Sequence, residues 1–342
     1  MSIKPAHTTA ALSLSLALTG LATPLSYKAD KSIAKGKHLV IIANDHEYRS
    51  EEAMPALARI LTRHHGYDCS VLFGLEADGT IGVGLNHMPG TELLEHADGL
   101  IIFARFLDLP DAQMKPIDDY LKRGGPVLGL RTSTHAFKME KNSKTSYKKH
   151  HFRYGGEDYQ GGFGQQILGQ SWVGHYGKNH TQSTRIDLIP ERTNHPILRG
   201  VNQVWVQAGA YNAEPQKDWD ILAMAQPLAS MNQDGKADPQ KPAMAGHWTR
   251  IYTSANGKKN RAVTSLYGAS EDFLNEGYRR MIVNSVYWMM GAEQQITAQS
   301  KIDFVGPYHP TTFKFKGHTR GVKPSDYLDY NSPIPGKTTP TR

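Results

Sequence analysis

The chain has 342 residues, 39% of them apolar, with 39 Lys/Arg against 32 Asp/Glu and one cysteine. That length can bury a sizeable core in one large domain with additions, and a lone cysteine excludes an internal disulfide framework. The positive excess sits in 138–153, with six Lys/Arg against one Glu, and from Thr297 onward, with seven against three Asp. The remainder is close to neutral and holds no basic helix or recognised nucleic-acid motif, so no nucleic-acid partner is expected.

Residues 1–22 combine Lys4 with a mild apolar run from Ala10 to Ala22, ending in the small residues Gly20 and Ala22. This reads as a signal peptide and predicts a periplasmic or secreted protein. The run is too short to span a bilayer and no later run is longer, so no membrane span is expected.

His38 to Asn44 is a continuous apolar run, the pattern of a strand buried on both faces. A polar loop, Asp45-His-Glu-Tyr-Arg-Ser50, follows it. Glu51 to His65 then reads as a helix capped by Ser50 and stopped by Gly66. Asp68 to Phe73 is the second strand and places Cys69 in apolar surroundings, where an inert thiol is expected. Gly99 to Arg105 is the third strand. The next helix opens at Pro110 and ends at Gly124-Gly125, and kinks are expected at Pro55 and Pro116. Alternation of strands and helices over 38–131 predicts a parallel sheet in a three-layer α/β fold.

Val127 to Leu130 is a short buried strand that runs into Arg131-Thr-Ser-Thr-His135. Open α/β sheets bind ligands beyond the carboxyl ends of their strands, so these polar residues are the first functional candidates. The outline is that of a degenerate nucleophile elbow, Gly129-Leu-Arg-Thr-Ser133, with Arg131 at the nucleophile's place. An arginine stays protonated and cannot be that nucleophile, though its fork of donors suits anionic or polyhydroxylated ligands.

Residues 138–182 are rich in Lys, Gly and Tyr, with little periodicity, and read as a lid or flexible insert whose aromatic residues suit stacking on sugars. Strands follow at 184–189, 219–225, 243–248 and 262–267. A last helix is expected from Ser270 to Gly291, capped by Ser270. Beyond Ile296 the Pro/Gly/Lys/Thr-rich chain reads as an extended basic tail, 297–342, with Phe304, Tyr308, Phe313 and Phe315 as spaced anchors.

Several motifs occur in order: Asp45-His-Glu-Tyr-Arg-Ser-Glu-Glu52, Phe106-Leu-Asp-Leu-Pro-Asp111, Gly129-Leu-Arg-Thr-Ser-Thr-His-Ala-Phe137, Gly161-Gly-Phe-Gly164, His195-Pro-Ile-Leu-Arg-Gly200 and Gly268-Ala-Ser-Glu-Asp272. Together they resemble the ThuA-like (trehalose-utilisation) family over residues 36–296. The resemblance implies a flavodoxin-like, class I glutamine amidotransferase-like sheet and a role in sugar catabolism, including oxidised (keto) disaccharides. Glutamine amidotransferases use a Cys-His-Glu triad. Arg131 at the nucleophile position, with Cys69 on another strand, argues against glutamine hydrolysis.

The expected ligand is thus a small carbohydrate, an oxidised (keto) or ordinary disaccharide or glycoside. The residues expected to act on it are His46 and His135 as acid and base and Arg131 as the polarising cation. Glu47, Arg105, Thr132, Trp172, His175 and Glu271 are expected to bind it. The corresponding activity is that of a keto-sugar isomerase, lyase or hydrolase. A divalent metal is a separate expectation, with His46, His135, His175 and His180 as candidate ligands, although no local pair has the spacing of a known zinc motif. The alternative is a non-catalytic carbohydrate-binding accessory protein using the same loops. Nothing in the sequence assigns an oligomeric state.

Overall fold

The computed structural model describes residues 24–33 and 36–336, so the expected signal peptide and the last six residues of the tail lie outside the described residues. In chain order the elements are β1 (Leu25–Tyr27), β2 (His38–Asn44), α1 (Ser50–His65), β3 (Asp68–Leu75), β4 (Ile81–Gly82), β5 (Gly99–Ala104), α2 (Asp111–Lys122) and β6 (Val127–Leu130). They continue as β7 (Thr184–Leu188), β8 (Val204–Val206), β9 (Asp220–Pro227), β10 (Met244–Thr253), β11 (Lys259–Ser265) and α3 (Glu276–Met289).

All eleven strands join one mixed sheet in the order β1-β3-β2-β5-β6-β11-β10-β9-β7-β8, with β4 paired to β3. The five strands β3, β2, β5, β6 and β11 are mutually parallel. The others pair antiparallel, so the expectation of a parallel sheet is corrected to half of it. The reason is connection length. Parallel neighbours need a crossover of a dozen or more residues, and only a tight turn at 254–258 separates β10 from β11.

Strand β2 shows why the sheet is buried twice over. Leu39, Ile41 and Ala43 face one core with α1, α3 and the tail, while Val40 and Ile42 face a second core with α2 and the insert. Each fully buried side chain of this kind contributes roughly 1.5–3 kcal/mol, which fixes the register of the strand that carries the site.

The insert is anchored in the second core. Phe163, Ile167 and Leu168 are buried there, and the Leu168 carbonyl accepts from Trp248 Nε1 and Thr264 Oγ1, both at 2.9 Å. Asp118 on α2 accepts from His150 Nε2 at 2.8 Å and pairs with Lys149 of the same insert. The tail is pinned from beneath: the buried Arg59 of α1 donates to the carbonyls of Ser332, Tyr327 and Asp329 at 2.8–2.9 Å.

Two helix boundaries differ from expectation. The segment from Ser270 divides into a short 3-10 turn, Ser270–Leu274, and α3, which Asn275 caps by accepting from the Tyr278 N–H at 2.9 Å. Ser270 instead donates to the Thr311 carbonyl and holds the tail. Ser50 lies inside α1, where its hydroxyl accepts from the Asp45 N–H. Pro55 and Pro116 sit within α1 and α2, and both helices continue past them.

Candidate functional site

The chain leaves β2 for β3 on one side of it and later returns to β5 on the other, so the order reverses between β2 and β5. Such a switch point opens a crevice at the carboxyl ends of the strands. The loops that converge there are 45–49 after β2, 105–107 after β5 and 131–135 after β6. Each contains a non-glycine residue in the left-handed region: Arg49 at φ 62°, Phe106 at φ 56° and Arg131 at φ 46°. Backbone of this kind costs on the order of 1–3 kcal/mol per residue and collects at functional sites.

Asp45 shapes the first loop. Its Oδ1 accepts from the N–H groups of Glu47 and Tyr48, and its Oδ2 accepts from Thr132 Oγ1 at 2.8 Å, tying the β2 loop to the β6 elbow. Thr132 is fully buried by that bond and presents nothing to a ligand. Glu47 pairs with Arg105 and accepts from Asn179 Nδ2 at 3.3 Å.

Arg131 is fully buried, with its guanidinium donating to the carbonyls of Gly209 at 2.7 Å and Leu266 at 2.9 Å and to Tyr48 Oη at 2.9 Å. It lies 3.8 Å from the centroid of the Tyr211 ring and 4.3 Å from that of Tyr48. Behind it Asp272 accepts from the N–H groups of Gln207, Ala208, Gly268 and Ala269. Burial pushes its carboxyl up to about 6 against those donors and Arg131. Arg131 therefore joins four segments from inside the packing. Glu271 lies against the tail, where its Oε1 accepts from Thr312 while its Oε2 is buried without a partner among the described residues.

His135 is 1% exposed, yet its Nε2 has no hydrogen-bond partner among the described residues. Its Nδ1 lies 3.3 Å from Thr134 Oγ1. Burial first, then the cations Arg105 and Arg131, hold the imidazole well below its ordinary range, so it is neutral. A continuous band of rings runs through it. The successive centroids of Trp172, His135, Phe106, His46 and Phe315 are 5.0 to 6.1 Å apart, with His175 packed on Trp172 and Tyr211 beside His135 at 6.1 Å. Trp172 Nε1 is also buried without a partner among the described residues. Burial lowers the pKa of His46 and His175 as well.

The structure thus gathers His46, Glu47, Arg105, His135, Trp172 and His175. It places Arg131 and Thr132 beneath them, and Glu271 with the tail. His180 lies elsewhere, stacked on Phe313 at 4.4 Å. Among the described residues no three His, Cys, Asp or Glu side chains are placed to hold a metal ion together, so the four candidate metal ligands form no such set. Cys69 is buried on β3 with its thiol pushed up to about 12 by desolvation.

Asn179 and Tyr211 complete the arrangement without a separate sequence signal, whereas Phe315 is one of the tail's aromatic anchors and Asp272 ends the Gly268–Asp272 motif. Phe106 and Tyr48 stood inside quoted motifs. Among the described residues no helix is long and apolar enough to cross a membrane.

No protein-family model matches this chain, and no curated protein matches it. Among solved structures it is similar to proteins named as ThuA-like from Bacteroides uniformis and Parabacteroides merdae. The first is 13% identical with a TM-score of 0.46, covering 77% of this chain and 95% of that one. The second is 13% identical with a TM-score of 0.45, covering 82% and 96%. A third similarity, to the exo-β-1,4-mannosidase Op5Man5 of an Opitutaceae bacterium, is 11% identical with a TM-score of 0.32 and covers 74% of this chain and 36% of that one.

Proposed function

We propose that this chain is a ThuA-like, sugar-processing protein that acts on an oxidised (keto) disaccharide at the carboxyl ends of β2, β5 and β6. Its five parallel strands run second, first, third, fourth, fifth in chain order, the order of a flavodoxin-like sheet, which supports the family reading. The observation that carries the chemistry is the neutral, unpartnered His135 Nε2 among aromatic rings and guanidinium groups.

In the tautomer whose Nδ1–H donates to Thr134 Oγ1, the Nε2 lone pair is free to act as a base. It would take the proton from the carbon next to the sugar ketone, and the electron pair would move onto the carbonyl oxygen. Arg105, with Arg131 deeper, supplies the positive potential that favours this enolate. Arg131 is here a positioning residue, because its Nη1 and Nη2 donate to the two carbonyls and Tyr48 inside the packing, leaving only its buried Nε without a partner among the described residues. A two-carboxylate glycosidase fits less well: Asp45 and Glu47 are both committed to other partners. Since His135 is covered, substrate entry requires Trp172, whose indole N–H is tied to nothing described, to turn aside.

The test is a mass-spectrometric screen of residues 23–342 against trehalose, sucrose, cellobiose and their 3-keto forms. Conversion of a 3-keto sugar, lost by roughly 100-fold or more in a His135→Ala variant that still unfolds cooperatively, is the expected result. Undiminished conversion in that variant overturns the assignment. The full burial of His135 favours a second reading, a non-catalytic carbohydrate-binding protein, for which the same sugars would bind without any product forming.

A further inference from the structure

We infer that Phe315, from the C-terminal tail, is a stacking platform for the sugar and sets its affinity. This rests on the carbohydrate reading above and extends the site to a segment far from the strand ends in sequence.

The tail crosses the β2 loop as a strap, residues 311–317. Thr311 donates through its N–H at 2.8 Å and its hydroxyl at 2.6 Å to the Glu52 carboxylate. Arg49 donates to the Thr312 carbonyl from Nε at 3.3 Å and from a terminal nitrogen at 3.2 Å. The next two aromatic residues then diverge. Phe313 is buried between His180 and Tyr48, with centroids at 4.4 and 5.0 Å. Phe315 is 53% exposed, although an exposed phenyl ring forgoes most of the burial its neighbour gains.

That exposure is held in place from both sides. The Lys314 N–H donates to the Glu47 carbonyl at 3.0 Å and the Lys316 N–H to the His46 carbonyl at 2.6 Å. Lys316 sits at φ 57° and the Gly317 N–H closes the turn on the Lys314 carbonyl. Phe315 is thus fixed at the tip of a tight turn bonded to the loop that carries His46 and Glu47. Its ring meets that of His46 edge-on, with centroids 5.0 Å apart and planes at 74°, and the Arg105 guanidinium carbon lies 5.5 Å from its centroid.

A rigid aromatic face, half open to solvent and flanked by hydrogen-bonding groups, matches a pyranose ring, which offers an apolar C–H face and a rim of hydroxyls. Phe315 ends the ring band opposite Trp172, so the tail supplies one end of that band and the insert the other.

Calorimetric titration of the six sugars named above into the chain and into Phe315→Trp, Phe315→Leu and Phe315→Ala tests this. For the sugar that binds, Phe315→Ala is expected to raise Kd about tenfold, and Phe315→Leu to do nearly the same because stacking needs the ring. Phe315→Trp should stay within about twofold, and all three variants should keep the melting temperature of the parent, since the ring adds little to the core. Where turnover is observed, the loss should fall on KM rather than kcat. Binding to the parent that is equally tight in Phe315→Ala overturns the platform. Failure of all six sugars to bind the parent overturns the carbohydrate reading, and the platform with it.

Discussion

Arg131 occupies the strained turn after β6 at φ 46°, and its guanidinium donates to two carbonyls and a phenol in the interior. Removing it leaves the Gly209 and Leu266 carbonyls unpaired, while Tyr48 Oη keeps its bond from Asn179 Nδ2, and takes from Asp272 the cation that lowers its carboxyl. Arg131→Met is therefore expected to cost on the order of 3–5 kcal/mol, read as a lowered denaturation midpoint, before any effect on chemistry. Unchanged stability would show that the site is not built on this residue. The sequence marked the place correctly as the end of a buried strand. It could not show that the fork would turn inward, because Gly209, Leu266 and Tyr48 come from three other segments. His135 is the converse case. Its position beside the elbow was legible, whereas its missing partner at Nε2 depends on Phe106, Trp172 and Tyr211 closing over it.

Among the elements, the Gly161-Gly-Phe-Gly164 stretch explains how an irregular insert reaches the site. A Cβ at Gly164 would strike the Thr134 carbonyl oxygen, so only glycine lets the insert lie against the turn that carries His135. Gly164→Ala is expected to destabilise by roughly 1–3 kcal/mol and to weaken sugar binding together with stability. A fully stable variant with normal binding would contradict that packing. Asn275→Ala should lower stability by about 1 kcal/mol through loss of the α3 cap, without touching the site. A Ser270→Ala change should leave that helix start intact. The helix itself was legible from its apolar stripe. Its true start was not, because Asp272 turns its carboxylate to four distant or local N–H groups and breaks the run before Asn275.

For the whole molecule, the parallel strands β2, β3, β5 and β6 were legible because each is an apolar run within the strand-helix alternation of 38–131, whereas the parallel pairing of β11 with β6 was not, since β11 is largely polar and follows β10 through a tight turn. The antiparallel wing was legible as strands but not as pairing, and β1, β4 and β8, at two or three residues each, carry no periodicity to read. The buried histidines set the pH response. Burial holds His247 at about 3 and His135 well below the ordinary value of 6.5. Above pH 6.5 both states are neutral. Below it the unfolded chain binds protons that the folded chain refuses, so stability falls by about 1.4 kcal/mol per pH unit for each such histidine. Asp272, raised to about 6, and the buried Glu51 and Glu52, also raised by desolvation, take up protons earlier in the folded state and offset part of this loss. Urea denaturation at pH 7.5, 6 and 5 should therefore show stability falling more steeply with acid in the parent than in His247→Leu, and equal slopes would contradict neutral burial of that imidazole.

Proton transfer by His135 on a keto sugar is measured most directly by deuterium exchange into 3-ketotrehalose in heavy water, followed by mass spectrometry. Incorporation next to the ketone is expected to be faster than in buffer alone with the parent chain, and to run at the buffer rate with His135→Ala. Exchange that is equally fast in both, or no faster than buffer with the parent, would contradict it.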